Sequence, residues 1–271
     1  MDVEADLMEI CRLLKIEAQD AFANMAIDEA ILTARMRKLV PNTVRFYCWK
    51  PSAVSIGKFQ DIQNEVQLEN CRKHGVDVVR RITGGGTVYH NSEDEITYSV
   101  IASKQDLNAT DITTVYAKIY SGLAEALKTL GITADFNEGN MKTCPNLTIK
   151  GKKISGSAQA HKSGVVLQHG TLLLNVDLEK MFTFLRVPWA KTCLEVVNVA
   201  KDKITSINTE FERKVSVEDV NRALIEGFQK ALDIKLAEGK LTPYEMELSE
   251  KLRNEKYATN KWNFQGQSPA V

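Results

Sequence analysis

The chain has 271 residues, 44% hydrophobic and 26% charged, which suits one large α/β body or a body with a small appendage. Its 35 basic and 35 acidic residues cancel, and no long apolar run follows the acidic start, so composition argues against nucleic acid, a membrane or a leader peptide. The five cysteines are scattered, odd in number and without a C-x-x-C pair, which argues against a disulfide framework or structural zinc and fits a reducing cytoplasm.

Apolar residues at helical spacing predict a helix over Ala21–Leu39. Short strands follow at Thr43–Trp49 and Ala53–Ile56, around the turn Lys50-Pro51-Ser52. A helix over Glu65–His74 stops at Gly75, and Val76–Val79 reads as a strand. Next comes the most informative stretch, Arg80-Arg81-Ile82-Thr83-Gly84-Gly85-Gly86-Thr87-Val88-Tyr89-His90. Three glycines expose bare backbone that can lie against a phosphate or carboxylate, and two arginines supply forked donors. An ordinary glycine hairpin with surface arginines fits the same letters.

Strand Ile96–Ile101 and a helix from Asp111 to Leu130 come next, then an irregular stretch from Asn137 to Pro145. Leu147–Ile149, Lys153–Gln159 and Val165–Leu174 read as an antiparallel meander. Ser216–Leu232, opened by a cap-like Ser216, and Tyr244–Lys256 are the last helices. No repeat or linker interrupts the main body.

Four residues invite chemical readings. Lys153 stands beside Ser155-Gly156-Ser157-Ala158, where small side chains leave room for a ligand; it either stabilises charge there or belongs to a solvated lysine turn. His90 and His169 each end or follow a strand and can donate to a ligand or serve the core. Cys144 precedes the Lys153 strand; it is a nucleophile activated by a nearby cation, or an inert loop thiol. No H-x-x-x-H or H-E pair suggests a protein-held metal.

In order along the chain, these segments resemble the lipoate–protein ligase and octanoyltransferase family. The likeness rests on Arg80-Arg81-x-x-Gly84-Gly85-Gly86-x-Val88-x-His90, Lys153-x-x-Gly156-x-Ala158 and His169-Gly170-Thr171-Leu172-Leu173-Leu174. Asn24-Met25-Ala26-x-Asp28-Glu29, Arg45-Phe46-Tyr47-x-Trp49, Ser55-Ile56-Gly57-x-Phe59-Gln60 and Tyr257-x-x-x-Lys261-Trp262-Asn263-Phe264 extend it over nearly the whole chain. The resemblance implies an α/β (α+β) fold of mixed and antiparallel sheets flanked by helices, like class II aminoacyl-tRNA synthetase and biotin ligase catalytic domains. It implies a catalytic domain over residues 1–250 and a tail, 251–271, where an accessory domain would begin.

For function it implies a lipoate–protein ligase. Lipoate or octanoate would react with ATP to give acyl-AMP, with Mg²⁺ held mainly by the phosphates. The acyl group would pass to a lysine of a lipoyl acceptor, such as the lipoyl domain of a 2-oxoacid dehydrogenase acyltransferase or the glycine cleavage H protein. By the same likeness Arg81 lies at the nucleotide, and Gly84, Gly85, Gly86, Thr87, Val88, Tyr89 and His90 lie along the acyl tail and ATP. Gly156 and Ala158 leave space beside Lys153, which contacts the acyl carbonyl and α-phosphate, and Val88 and Ile154 line the tail. Asn91 stands where the family often has Asp, which puts that position's role in doubt. The tail suggests a separate accessory subunit or a transferase that needs none. The alternative is octanoyl transfer from acyl carrier protein through Cys144. Against it stands the spacing, since Cys144 lies nine residues before Lys153 and the transferases imply a longer gap.

Overall fold

The computed structural model describes residues 9–139 and 144–266. The chain opens with β1 (Glu9–Gln19), α1 (Ala21–Met36), β2 (Thr43–Trp49), β3 (Ala53–Ile56), α2 (Ile62–Glu65), α3 (Leu68–Lys73), β4 (Asp77–Arg80), β5 (Val88–His90) and β6 (Glu95–Ser103). It continues through α4 (Ile112–Thr129), β7 (Asp135–Asn137), β8 (Asn146–Ile149), β9 (Lys152–Lys162) and β10 (Val165–Leu173). Then come α5 (Leu178–Phe184), α6 (Cys193–Ala200), α7 (Ile207–Phe211), α8 (Val217–Leu232), β11 (Ile234–Gly239), α9 (Pro243–Leu252), a π-helical turn (Arg253–Tyr257) and α10 (Asn260–Gln265).

Eight strands form one mixed sheet in the order β11-β1-β2-β6-β10-β9-β8-β7. β1 pairs parallel with both β11 and β2, and the remaining pairs are antiparallel. Period-two alternation gives this sheet two unlike faces. Val44 and Phe46 of β2, Ile96, Tyr98 and Val100 of β6, and Leu172 of β10 join the main core beneath α4 and α8. The residues between them, Arg45, Tyr47, Thr97, Ser99, His169 and Thr171, are also buried but on the other face. There α1 and a second sheet, ordered β4-β3-β5, cover them. A buried polar face between two layers is where the site forms.

The helices begin where local chemistry starts them. Asp20, Asp111 and Ser216 each accept a backbone N–H of the first turn, at 2.7, 2.9 and 3.0 Å, opening α1, α4 and α8. α4 and α8 approach closely through glycines: a Cβ on Gly227 would stand 2.6 Å from the Gly122 carbonyl oxygen. Among the described residues no helix is long and apolar enough to cross a membrane.

Several expectations from sequence are corrected here. The glycine stretch is not a hairpin turn: β4 and β5 both pair with β3, one parallel and one antiparallel, and the glycines carry the chain across it. The helix expected over Glu65–His74 is two short ones, because Val66 leaves the helix to bridge Leu185. β1, β11 and the helices α5, α6, α7 and α10 had no counterpart. β1 buries Cys11 to Leu14 consecutively, so it shows no alternation to read.

Residues beyond position 250 pack on the body of the chain. Tyr257 and Trp262 are core residues against α1 and β2. Trp262 Nε1 donates to the Arg80 carbonyl at 2.7 Å. Residues 140–143 of the expected irregular stretch, the acidic start and 267–271 of the expected tail lie outside the described residues.

Candidate active site

A cavity of about 140 Å³ opens between the polar face of the large sheet and the glycine stretch. Gly85, Gly86, Thr87 and Val88 line it, with Met25 of α1 and Tyr47 and Trp49 of β2. From β9 come Lys153, Gly156, Ser157 and Ala158, and Cys144 and Pro145 complete the wall. Small residues are required at the contacts. A Cβ on Gly170 would stand 2.6 Å from that of Ser157, and one on Gly57 would meet the Gly85 carbonyl. Gly85 has φ +85°, a conformation suited to glycine.

Arg81 holds the glycine stretch. Its Nη2 donates to the carbonyls of Gly84 and Gly86 at 2.8 and 2.7 Å. Nη1 donates to the Ser55 carbonyl and hydroxyl, both at 3.0 Å, and Nε to Thr83 Oγ1 at 3.1 Å. All five guanidinium N–H groups are thus used. Burial pulls its pKa down to about 10, against the opposing charge of a Cys144 thiolate, and it stays charged at neutral pH.

Two relays run outward from that guanidinium. In one, Ser55 Oγ meets His90 Nε2 at 2.8 Å, and His90 Nδ1 meets Glu95 Oε1 at 2.7 Å. In the other, Thr83 Oγ1 meets His169 Nε2 at 2.8 Å, and His169 Nδ1 meets Asp28 Oδ2 at 3.0 Å. The hydroxyls accept from Arg81 and so donate to the imidazoles, which assigns Nδ1–H of each ring to its carboxylate. Burial pushes the His169 pKa below its usual value, although Asp28 opposes this. Burial alone would raise Asp28, but the His169 hydrogen bond and the Arg45 charge, 2.8 Å away, hold it below the usual carboxylate value.

Lys153 is fixed by its backbone, whose N–H donates to Lys203 O at 2.8 Å and whose carbonyl accepts from Thr205 at 2.9 Å. Its side chain lies over Gly156, where a Cβ would stand 2.5 Å from Lys153 Cε. The residue keeps accessible surface because it faces the cavity, while protein surrounds the ammonium on its other sides. That burial lowers its pKa; a Cys144 thiolate pulls it back up and Arg81 lowers it further. Cys144 itself is exposed. Two fixed cations therefore face one thiol across a cavity.

The structure brings together Lys153, Cys144, Arg81, Gly85, Gly86, Thr87, Val88, Gly156 and Ala158. It separates others. Gly84 turns its carbonyl to Arg81, Tyr89 stacks on Phe184 at 5.0 Å in a satellite core, and Ile154 belongs to the main core under α4. His90 borders the cavity, but both ring nitrogens are engaged and its ring stacks on Trp49 at 3.9 Å, so it is a support rather than a ligand donor. His169 is a support for the same reason. Arg80, expected beside the anion, gives its guanidinium to the carbonyls of Gly57, Lys58, Gln60, Trp262 and Asn263. Sequence reasoning missed Ser55 and Thr83 as relay members and Glu95 as the carboxylate behind His90. Only the positions of Ser55 and Thr83 beside quoted motifs could have pointed to them.

Residues 20–229 match the model of the lipoyl protein ligase A/B catalytic domain. The chain belongs to that family. Among family members, Octanoyltransferase LipM of Brevibacillus brevis is 36% identical over 94% of this chain and 99% of its own. Octanoyltransferase LipM of Bacillus subtilis is 34% identical over 91% of this chain and 95% of its own. Of solved structures, the bi-partite lipoate protein ligase of Thermoplasma acidophilum, studied with its E2 lipoyl domain, is 30% identical at a TM-score of 0.83, covering 97% of this chain and 99% of its own. A lipoate-protein ligase A bound with ATP is 31% identical at 0.83, covering 96% of this chain and 100% of its own. The mixed α/β fold expected from sequence is that of these ligases.

The ATP-dependent lipoate ligase expected from sequence is corrected by these findings. The full-length relatives at 34–36% identity are octanoyltransferases. Arg81, which the resemblance set at the nucleotide, has every N–H committed to the protein.

Proposed function

We propose that the protein is an octanoyltransferase. It takes the octanoyl group from the thioester of an acyl carrier protein and passes it to a lysine of a lipoyl acceptor, either a 2-oxoacid dehydrogenase lipoyl domain or glycine cleavage H protein. The observation that carries this reading is Cys144 lining the same cavity as Lys153. The nine-residue spacing that counted against Cys144 loses its force in three dimensions.

In the first half-reaction the Cys144 thiolate attacks the donor's thioester carbonyl. The new S–C bond forms as the carrier's thiol leaves and takes a proton. In the second, the acceptor lysine, as a neutral amine, attacks the Cys144 thioester; an amide forms, the Cys144 thiolate departs and the amine proton passes to solvent. The donor thioester supplies the driving force, so ATP and Mg²⁺ have no step. Lys153 offers a fixed positive charge to the oxyanion of both tetrahedral species, a kind of contribution worth about 10²–10³ in rate where it has been removed from other enzymes. Each methylene of the chain buried against Val88, Met25 and Trp49 adds about 0.8 kcal/mol. A thioester-forming cysteine must be reduced, which accords with a cytoplasmic enzyme.

Intact-mass spectrometry with octanoyl carrier protein tests the reading. One octanoyl group should appear on the enzyme, vanish in Cys144→Ser, and move to an apo lipoyl domain when that is added. Transfer that persists in Cys144→Ser, or octanoylation that requires ATP, would refute it.

A further inference from the structure

Cys144 and Pro145 stand just before β8 and belong to no helix or strand, yet both border the cavity. Pro145 has no N–H, which leaves its carbonyl as the backbone group available for a tether. That carbonyl accepts the Tyr120 hydroxyl at 3.1 Å. The same hydroxyl accepts from Ser157 Oγ at 2.8 Å, and Ser157 lines the cavity. A second, weaker tie runs from Asn146 Nδ2 to the Cys144 carbonyl at 3.2 Å.

We infer that the Tyr120 hydroxyl is a positioning group that ties the Cys144 segment to β9 and so sets the thiol above Lys153; this rests on the transferase reading above. Tyr120 sits on α4, is 0% exposed, and packs with Tyr116 at 6.1 Å and Phe136 at 5.4 Å between ring centroids. A hydroxyl buried that deeply needs partners, and both of its partners belong to the walls of one cavity. Burial pushes its pKa well above the usual 10.0, so it acts as a donor and not as a base. Its ring contacts are separate from its hydroxyl contacts, so the two roles can be tested apart.

Tyr120→Phe keeps the ring and removes both bonds; Phe136→Leu disturbs the ring packing and leaves both bonds. The rate of octanoyl thioester formation on Cys144 is measured by quenched intact mass, with KM for octanoyl carrier protein and the melting temperature alongside. Tyr120→Phe should slow thioester formation about tenfold or more, since small misplacements of a reacting group cost rates of that order, while KM and melting temperature stay near wild type. Phe136→Leu should lower the melting temperature and keep the wild-type rate. Wild-type acylation in Tyr120→Phe overturns the inference, and so do parallel losses of rate and stability in both variants. A wild-type enzyme that never forms the Cys144 thioester instead defeats the transferase reading, and the inference falls with it.

Discussion

Arg81 gives its whole guanidinium to the chain around it, so its charge reaches the cavity through space and not through a hydrogen bond. On the transferase reading, Lys153 is then the cation left to meet a reacting oxygen. The neighbouring Gly156 is the sensitive point, because a methyl there would collide with the Lys153 side chain and with no backbone. Gly156→Ala should therefore fold normally yet displace the ammonium. Its kcat for octanoyl transfer should fall by about 10²-fold, the scale of a lost oxyanion donor, with an unchanged melting temperature. A Gly156→Ala enzyme with normal kcat would show that the Lys153 position does not matter. Lys153, Cys144, Gly85 and Gly86 were legible as candidates because residue type and neighbours single them out, and they line one cavity. The relays were not, since Ser55 meets His90 and Glu95, and Thr83 meets His169 and Asp28, only after β3, α1 and β10 have packed.

Elements repeat that pattern. Amphipathic helices α1, α4 and α8 and the β8–β9–β10 meander were readable, because each carries its period or its turns in a few residues. The parallel strand β11 was not, its partner lying more than two hundred residues away, as in Leu236 against Cys11, and β1 was hidden by its consecutive burial. The α4–α8 contact makes a testable case of two opposed effects. Ala is favoured over Gly inside a helix by about 1 kcal/mol. At Gly227, however, the added Cβ would meet backbone of α4, 2.6 Å from Gly122 O and 2.7 Å from Ala126 Cα, and backbone cannot swing aside. Overpacking costs about 1–3 kcal/mol and should prevail. Chemical denaturation of Gly227→Ala should show a net loss of up to about 2 kcal/mol; a gain would mean that the helices part without cost.

For the whole molecule, acid is the informative perturbation. His169 is held below its usual 6.5, so the unfolded chain binds that proton first and stability falls as pH drops below 6.5 towards the folded value. Asp28, Asp20 and Glu245 are held below their usual values of 3.8, 3.8 and 4.5. Their contribution is complete above those values and is lost as pH falls through the lower folded ones. Melting temperature should thus decline in two stages on acidification, and a single transition confined below pH 4 would contradict the His169 assignment. The tie between the ends of the sequence has a consequence in time. Arg80 lies in the first third of the chain, and the residues that cap it, Trp262 and Asn263, emerge from the ribosome 182 and 183 positions later. Its neighbour Arg81 needs no such wait, since its partners Ser55, Thr83, Gly84 and Gly86 lie close to it in the chain. A chain ending short of them would leave the Arg80 guanidinium without those two carbonyl acceptors, so it should be less stable than the full chain although the glycine stretch keeps its own partners.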